Sequence, residues 1–307
     1  MTVRMIDGRA CARELKHQVA TEAKDLREDG LRCGLATLSV GEEFSADAYQ
    51  RRLLRVSEEL DIAYRHRHLP GDAGIENVLA TVAGLNADPE VSGILVLRPL
   101  PPHVDEKVVF RALDPLKDVE AVHPENAGLL ALGTPRYVPS TAASVYHLLD
   151  TWLDSAGEDR ADFYHRSLIV VVGRSNNVGK PAVSLGYARQ AAVESIDEWA
   201  SRTVGIGRHT RRADVLVVAA GRPGLIRAEH IREGAIVLDV GINPWTDPET
   251  GTVHMVGDVD FESTAPRAWA ITPVPGGVGP ITDVWLVRNT VTAARNLAGR
   301  PDPRRTP

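Results

Sequence analysis

The chain has 307 residues, 25% of them charged, with 41 acidic against 35 basic side chains and a formal net charge of −6. This acidic balance, with no basic block beyond pairs such as Arg51-Arg52 and Arg211-Arg212, argues against nucleic acid as a partner. Cys11 and Cys33 lie outside any C-x-x-C or His/Cys cluster, which excludes a disulfide framework and a metal site of zinc type and fits a reducing cytoplasm; no apolar run approaches the about 18 residues that cross a membrane.

At this length two α/β domains are expected, because short apolar runs alternate with amphipathic segments, as in parallel sheets covered by helices. Leu15, Val19, Ala23 and Leu26 share one face of a charged N-terminal helix. Strands are predicted at 34–40, 63–68 and 93–96, with helices at about 45–60, 75–85 and 104–113. Together these make a first domain, 1–139, whose last part, 115–139, is punctuated by Pro and Gly and reads as loop. An amphipathic helix at 141–153 opens a second domain, 140–280. It continues with a strand at 168–172, a helix at 179–190, strands at 192–196, 215–219 and 235–240, and a hairpin excursion between Asn243 and His254. A glycine-rich loop, 272–280, precedes a final helix, 281–298, predicted to return to the first domain, and 300–307 reads as a flexible tail.

The most informative segment is Leu168-Ile169-Val170-Val171-Val172-Gly173-Arg174-Ser175-Asn176-Asn177-Val178-Gly179-Lys180-Pro181. A β-branched run of this kind is a strand buried on both faces, Gly173 permits a tight turn, and a helix restarting at Gly179 points backbone N–H groups at an anion. The spacing G-x-S-x-x-x-G is a variant of the dinucleotide fingerprint, and taken alone a glycine after a strand is a turn.

Several separated segments resemble the methylenetetrahydrofolate dehydrogenase/cyclohydrolase family. They are Ile6-Asp7-Gly8, Val40-Gly41, Tyr49, Gly93-Ile94-Leu95-Val96 with Pro99-Leu100-Pro101, Lys117-Asp118-Val119, the Gly173 loop, Asp239-Val240-Gly241-Ile242-Asn243, Gly257-Asp258-Val259, and Thr272-Pro273-Val274-Pro275-Gly276-Gly277-Val278-Gly279-Pro280. The resemblance implies a two-domain α/β fold, an N-terminal folate-type domain followed by a Rossmann-like dinucleotide domain, with folate in the cleft between them and a homodimer formed through the dinucleotide domains. It implies that Gly173, Arg174, Ser175, Val178, Gly179 and Ile242 contact NAD or NADP. By the same resemblance Tyr49 meets the pteridine and aminobenzoate part of the folate, and Pro275, Gly276 and Gly277 line the same cleft.

The sequence departs from the family at polar positions. Leu53 stands four residues after Tyr49, where the family has the lysine expected to serve the cyclohydrolase step; Leu97 replaces a glutamine, Glu120 an aspartate, and Pro139-Ser140-Thr141-Ala142 a Pro-Cys-Thr-Pro segment. Oxidising the methylene bridge moves a hydride and removes no proton, so it needs orientation and a negative potential beside the developing cation, which Glu120 supplies. Hydrolysing the methenyl product needs water activated and a nitrogen protonated, and neither leucine does either. Arg51, Arg52 and Arg55 are expected to point elsewhere on the helix and to be poor proton shuttles. A monofunctional dehydrogenase is therefore expected, with Tyr49 and Glu120 at its site. The alternatives are a paralogue acting on a different substrate and a catalytically silent folate- or dinucleotide-binding protein.

Asp197 and Glu198 follow the second strand of the dinucleotide domain, where an acidic residue accepts the ribose 2′-OH and repels a 2′-phosphate; NAD is favoured over NADP on that ground, although Arg174 is able to pair with a phosphate. Plainer readings stand beside these. Tyr49 is a half-buried packing residue, Glu120 pairs with Arg136, Lys117 and Asp118 form a structural ion pair or loop anchor, and His123 has no assigned role.

Overall fold

A computed structural model describes residues 4–42, 44–248 and 250–300, so the tail beyond Arg300 lies outside the described residues. In chain order the elements are β1 (Arg4–Met5), α1 (Gly8–Glu28), β2 (Gly34–Val40), α2 (Phe44–Glu59), β3 (Ala63–Leu69), α3 (Ile75–Ala87), β4 (Gly93–Val96), α4 (Glu106–Ala112), α5 (Pro124–Ala131), α6 (Ser140–Ala156), α7 (Arg160–Arg166), β5 (Leu168–Val172), α8 (Gly179–Ala188), β6 (Ala192–Ile196), α9 (Glu198–Ser201), α10 (Gly207–Thr210), β7 (Val215–Val218), β8 (Ile236–Asp239), β9 (Asn243–Thr246), β10 (Val253–Val256), α11 (Phe261–Thr264), β11 (Ala270–Ile271) and α12 (Val278–Leu297). They divide into two compact units. One holds residues 14–140 and the chain from 283 onward; the other holds the residues before 14 and 141–282.

The 14–140 unit is built on a parallel sheet of order β3-β2-β4. Central β2 is buried along its whole length. Ala36, Leu38 and Val40 pack one face against Val78, Val82 and Leu85 of α3 and Val109 and Phe110 of α4. Inward-facing apolar residues two apart on the strand and three to four apart on the helices meet in one core, which is the chief stabilising term of the unit. The part of α12 from Asp283 onward belongs to this unit. Asn289 of that helix donates to the carbonyls of Val119 at 2.7 Å and Val138 at 2.8 Å, closing it onto the chain that follows β4.

The second unit carries a six-stranded sheet of order β1-β11-β8-β7-β5-β6, parallel throughout. The Val/Ile runs are buried on both faces because helices cover both sides, as for Val170, Val218 and Val237 in its core. From β5 the chain crosses to β6 on one side and then to β7 on the other. The topological switch point therefore lies at the carboxyl ends of β5 and β7, where open α/β sheets bind ligands.

Three expectations need correction. The N-terminus is expected in the first domain, yet β1 pairs with β11 and extends the six-stranded sheet; a two-residue strand carries no periodic signal. The segment 115–139, punctuated by Pro and Gly, is not all loop: it contains α5, capped by His123 Nδ1 and opened by Pro124 at its first position, where the missing N–H would have no partner anyway. The last helix begins at Val278 and not at 281, so Gly279 and Pro280 belong to its first turn.

A pair of buried carboxyls ties together the loops after β7, β8 and β10. Asp239 accepts the N–H groups of Gly241 at 2.9 Å, Asp258 at 3.1 Å and Val259 at 2.9 Å. Asp258 accepts those of Ala220 at 2.6 Å, Gly221 at 2.9 Å and Arg222 at 2.8 Å, and the Asn243 amide at 2.8 Å. Burial, reinforced by the charge of Asp258, pushes the Asp239 carboxyl up to about 7 against the pull of its N–H donors. A Cβ on Gly257 would stand 1.8 Å from Asp239 Oδ2, which is pinned and has no room to yield. Gly257→Ala is expected to destabilise the protein by about 1–3 kcal/mol, measured as a lowered urea midpoint; an unchanged midpoint would show that the loop yields freely.

Candidate functional site

In the second unit the expected nucleotide loop sits at the switch point. Gly173 has φ of +111°, and a Cβ there would lie 2.1 Å from the Ala219 carbonyl oxygen, so only glycine lets the ends of β5 and β7 approach this closely. Ser175 Oγ accepts from Val178 N at 3.2 Å and Gly179 N at 3.4 Å, so those two groups at the start of α8 are held by a hydroxyl and are not left free. Lys180 Nζ bonds Asn176 Oδ1 at 2.7 Å, and the buried Asn177 Oδ1 has no hydrogen-bond partner. A strand, a glycine turn and a helix N-terminus in this order fit a phosphate-bearing ligand.

The residues expected to discriminate the ribose are engaged with one another. Arg174 donates to the Ser195 carbonyl at 2.7 Å, to Ser195 Oγ at 3.3 Å and to Asp197 Oδ2 at 3.1 Å. The other oxygen of Asp197 caps α9 by accepting Ala200 N at 2.9 Å. Glu198 is exposed and pairs with Arg202 at 3.0 Å, and Arg202 also lies 4.0 Å above the ring of Trp199. Ile242 follows β8 and is 54% exposed. In the 272–277 loop, Pro275 follows a cis bond and Gly276 has φ of +115°. A Cβ on Gly8 would meet Gly277 O at 1.8 Å, so the start of α1 is in backbone contact with that loop.

In the 14–140 unit, Tyr49 and Glu120 come together through Ser140, the first residue of α6. Ser140 Oγ donates to Glu120 Oε1, and Ser140 N lies 3.3 Å from Oε2. The Tyr49 hydroxyl is hydrogen-bonded to the Ser140 side chain. Leu53, one helical turn beyond Tyr49, is fully buried, and Leu97, just past β4, is 4% exposed. Burial pushes the Glu120 carboxyl up to about 7; Asp118 adds to this, while the Ser140 bonds and Arg98 oppose it. Burial also holds the Tyr49 phenol well above its ordinary range, helped by Glu120 and Asp283.

Arg52 does not point away from Tyr49, contrary to the expectation from helical spacing. Its guanidinium lies 5.2 Å above the Tyr49 ring and pairs with Asp283 at 2.9 Å, because residues three apart on a helix share a face. Lys117 and Asp118 are loop anchors and not an ion pair. Lys117 Nζ donates to the carbonyls of Asn86 at 2.7 Å and Asp88 at 2.8 Å, and Asp118 accepts from His123 N and the Asn126 amide, each at 2.8 Å. Arg136 reaches Glu125 and Asn126, each at 2.6 Å.

Ser140, Arg52 and Asp283 join this candidate site in the structure and carry no assignment from the sequence. The changed Pro-Cys-Thr-Pro segment was a signal for the first. Nothing local marked the other two, which lie 231 residues apart.

Residues 6–120 match the family described as tetrahydrofolate dehydrogenase/cyclohydrolase, catalytic domain, and 139–298 match its NAD(P)-binding domain. Over 301 residues the chain is 59% identical to Bifunctional protein FolD 2 of Rubrobacter xylanophilus, covering 98% of this chain and 94% of that protein. It is 42% identical over 293 residues to Bifunctional protein FolD of Salinibacter ruber, covering 95% of each. The structure of the bifunctional FolD methylenetetrahydrofolate dehydrogenase/cyclohydrolase of Campylobacter jejuni is similar at TM-score 0.87 and 34% identity, over 96% of this chain and 99% of that one. The Trypanosoma brucei enzyme, complexed with NADP and an inhibitor, gives TM-score 0.87 at 33% identity over 96% and 98%. Both of the family's domains match in order and the similarity runs nearly end to end, so the chain belongs to the tetrahydrofolate dehydrogenase/cyclohydrolase family.

Proposed function

We propose that this protein oxidises 5,10-methylenetetrahydrofolate to 5,10-methenyltetrahydrofolate with a nicotinamide dinucleotide, and that its cyclohydrolase step is weak or absent. The observation that carries this reading is the carboxyl of Glu120 held beside Tyr49 while Leu53 and Leu97 line the same unit as buried apolar groups. The nicotinamide supplies a hydride acceptor when bound, and Gly173, Arg174, Ser175, Val178, Gly179 and Ile242 are the residues that hold the dinucleotide. Tyr49 offers an aromatic face and a hydroxyl to the folate, and the Glu120 carboxylate stabilises positive charge spreading over the bridging carbon and its two nitrogens.

For the cofactor, NAD is the reading that Asp197 supports. Its carboxylate occupies Arg174, the group that would otherwise meet a 2′-phosphate, and adds a repelling charge at the end of β6. Glu198 contributes only to that negative field. Asp197→Ala is expected to release Arg174 and to lower KM for NADP about tenfold, equivalent to ~1.4 kcal/mol, with KM for NAD unchanged or raised. Equal cofactor selectivity before and after the substitution would remove Asp197 from the argument.

A homodimer through the dinucleotide-binding unit is also proposed. It is supported by the β9–β10 hairpin, whose Trp245, Val253 and Met255 are 43%, 61% and 43% exposed. The free thiols of Cys11 and Cys33 are consistent with a reducing, cytoplasmic setting, and no helix of the described residues is long and apolar enough to cross a membrane.

The test is to incubate the purified protein with methylenetetrahydrofolate and NAD⁺ or NADP⁺ and follow reduced nicotinamide and methenyl product by absorbance. Both signals rising together support the reading. Tight folate binding without turnover would favour a silent binder, and failure to bind folate would favour a paralogue with another substrate.

A further inference from the structure

We infer that Ser140 is a positioning residue for the dehydrogenase step: through its hydroxyl and its backbone N–H it holds the Glu120 carboxylate in register with Tyr49 and in its charged form. This rests on the dehydrogenase reading of the same site.

Ser140 is 1% exposed, so its hydroxyl has no access to bulk water and must be satisfied by protein. It sets two donors on one carboxyl group, Oγ on Oε1 and N on Oε2, which restricts both the rotation and the translation of that group. A serine hydroxyl has one proton. With that proton given to Glu120, the oxygen is left as an acceptor, and the neighbouring Tyr49 hydroxyl is the donor that meets it. The result is a directional chain from Tyr49 through Ser140 to Glu120, with the charge at its end.

Neither of the charged groups that bear most on Glu120 is a free counter-ion. Asp118 opposes its ionisation; Arg98 favours it but already pairs with Glu106 at 3.4 Å. Around Tyr49, Arg52 is matched by Asp283 at 2.9 Å. The neutral donors of Ser140 are therefore what keeps the carboxylate accessible near neutral pH. They name a role for the serine that stands where the family has cysteine, a far weaker donor.

The inference is tested on the full-length protein labelled with carboxyl-¹³C glutamate. The Glu120 resonance is assigned by its disappearance in Glu120→Gln, and its titration is followed by NMR beside the pH profile of methylenetetrahydrofolate oxidation. In Ser140→Ala the titration midpoint is expected to rise by about one pH unit, because a donor to the charged form is lost. The acid limb of kcat is expected to move with it, while KM for the dinucleotide stays the same. Ser140→Thr, which keeps the hydroxyl, is expected to restore both, and Ser140→Cys to fall between; these two keep the question answerable if Ser140→Ala fails to fold.

In the Glu120→Gln background Ser140→Ala is expected to add no further loss, since the two act through one group. A midpoint that does not move in any of the Ser140 variants, or an additive loss in the double variant, overturns the inference. A midpoint that moves in a protein that oxidises no folate upholds the positioning and overturns the dehydrogenase reading alone.

Discussion

Glu120→Gln is expected to lower kcat for methylenetetrahydrofolate oxidation by about 10²-fold and to flatten its dependence on pH, the size of effect found when a preorganised electrostatic partner is removed from a site. Departure of the hydride leaves positive charge on an N–C–N bridge, and in the proposed reaction a carboxylate fixed by Ser140 would stabilise it without reorganising. The sign of the pH effect follows from the raised carboxyl. With Glu120 pushed up to about 7, the group is neutral below that pH and charged above it, so kcat rises with pH through about 7 and levels off beyond. Glutamine is a permanently neutral stand-in and mimics the wild type at low pH. Steady-state rates from about pH 5.5 to about pH 9 check this. A wild-type profile without an acid limb would show that Glu120 carries no part of the hydride step.

The methenyl product is expected to persist. Hydrolysis of the amidinium needs a water deprotonated and a ring nitrogen protonated, and acid/base assistance of that kind contributes typically about 10²–10⁴-fold. Leu53 is fully buried and Leu97 nearly so, and neither side chain exchanges a proton. Arg52 reaches the site and yet does not replace a lysine: a guanidinium stays protonated, and this one is committed to Asp283. Methenyltetrahydrofolate supplied directly should therefore decay in the presence of the protein at the rate seen in buffer. Decay faster than buffer by more than about tenfold would mean that another group in the unit carries the proton, and the monofunctional reading would be abandoned.

What could be read from the chain alone was whatever short-range chemistry encodes. The Val/Ile run 168–172 became β5, the glycine at 173 became its turn, and Asn243 and His254 fell on the two strands of a hairpin. Segments such as 272–280 pointed to the family now matched over both domains, because turn chemistry and close backbone approach restrict residue type position by position. The limits of this reading were also physical. The two residues of β1 carry no periodicity, and α5 hid behind a proline that is favourable at a helix start and disruptive inside one.

The site divides along the same line. The sequence marks Tyr49 and Glu120 as residues but not as neighbours, and marks Ser140 between them only through the altered Pro139-Ser140-Thr141-Ala142 segment. Helical spacing gives Arg52 no place beside Tyr49, whereas its guanidinium meets Asp283, 231 residues later on a helix that packs back on the unit. Sequence alone determined the longer strands, the turns and the family, since these rest on runs and motifs of residues within a few positions of one another. The tertiary structure decided which side chains share a proton or a charge, since that depends on the fold bringing distant segments within about 3 Å, where hydrogen bonds form.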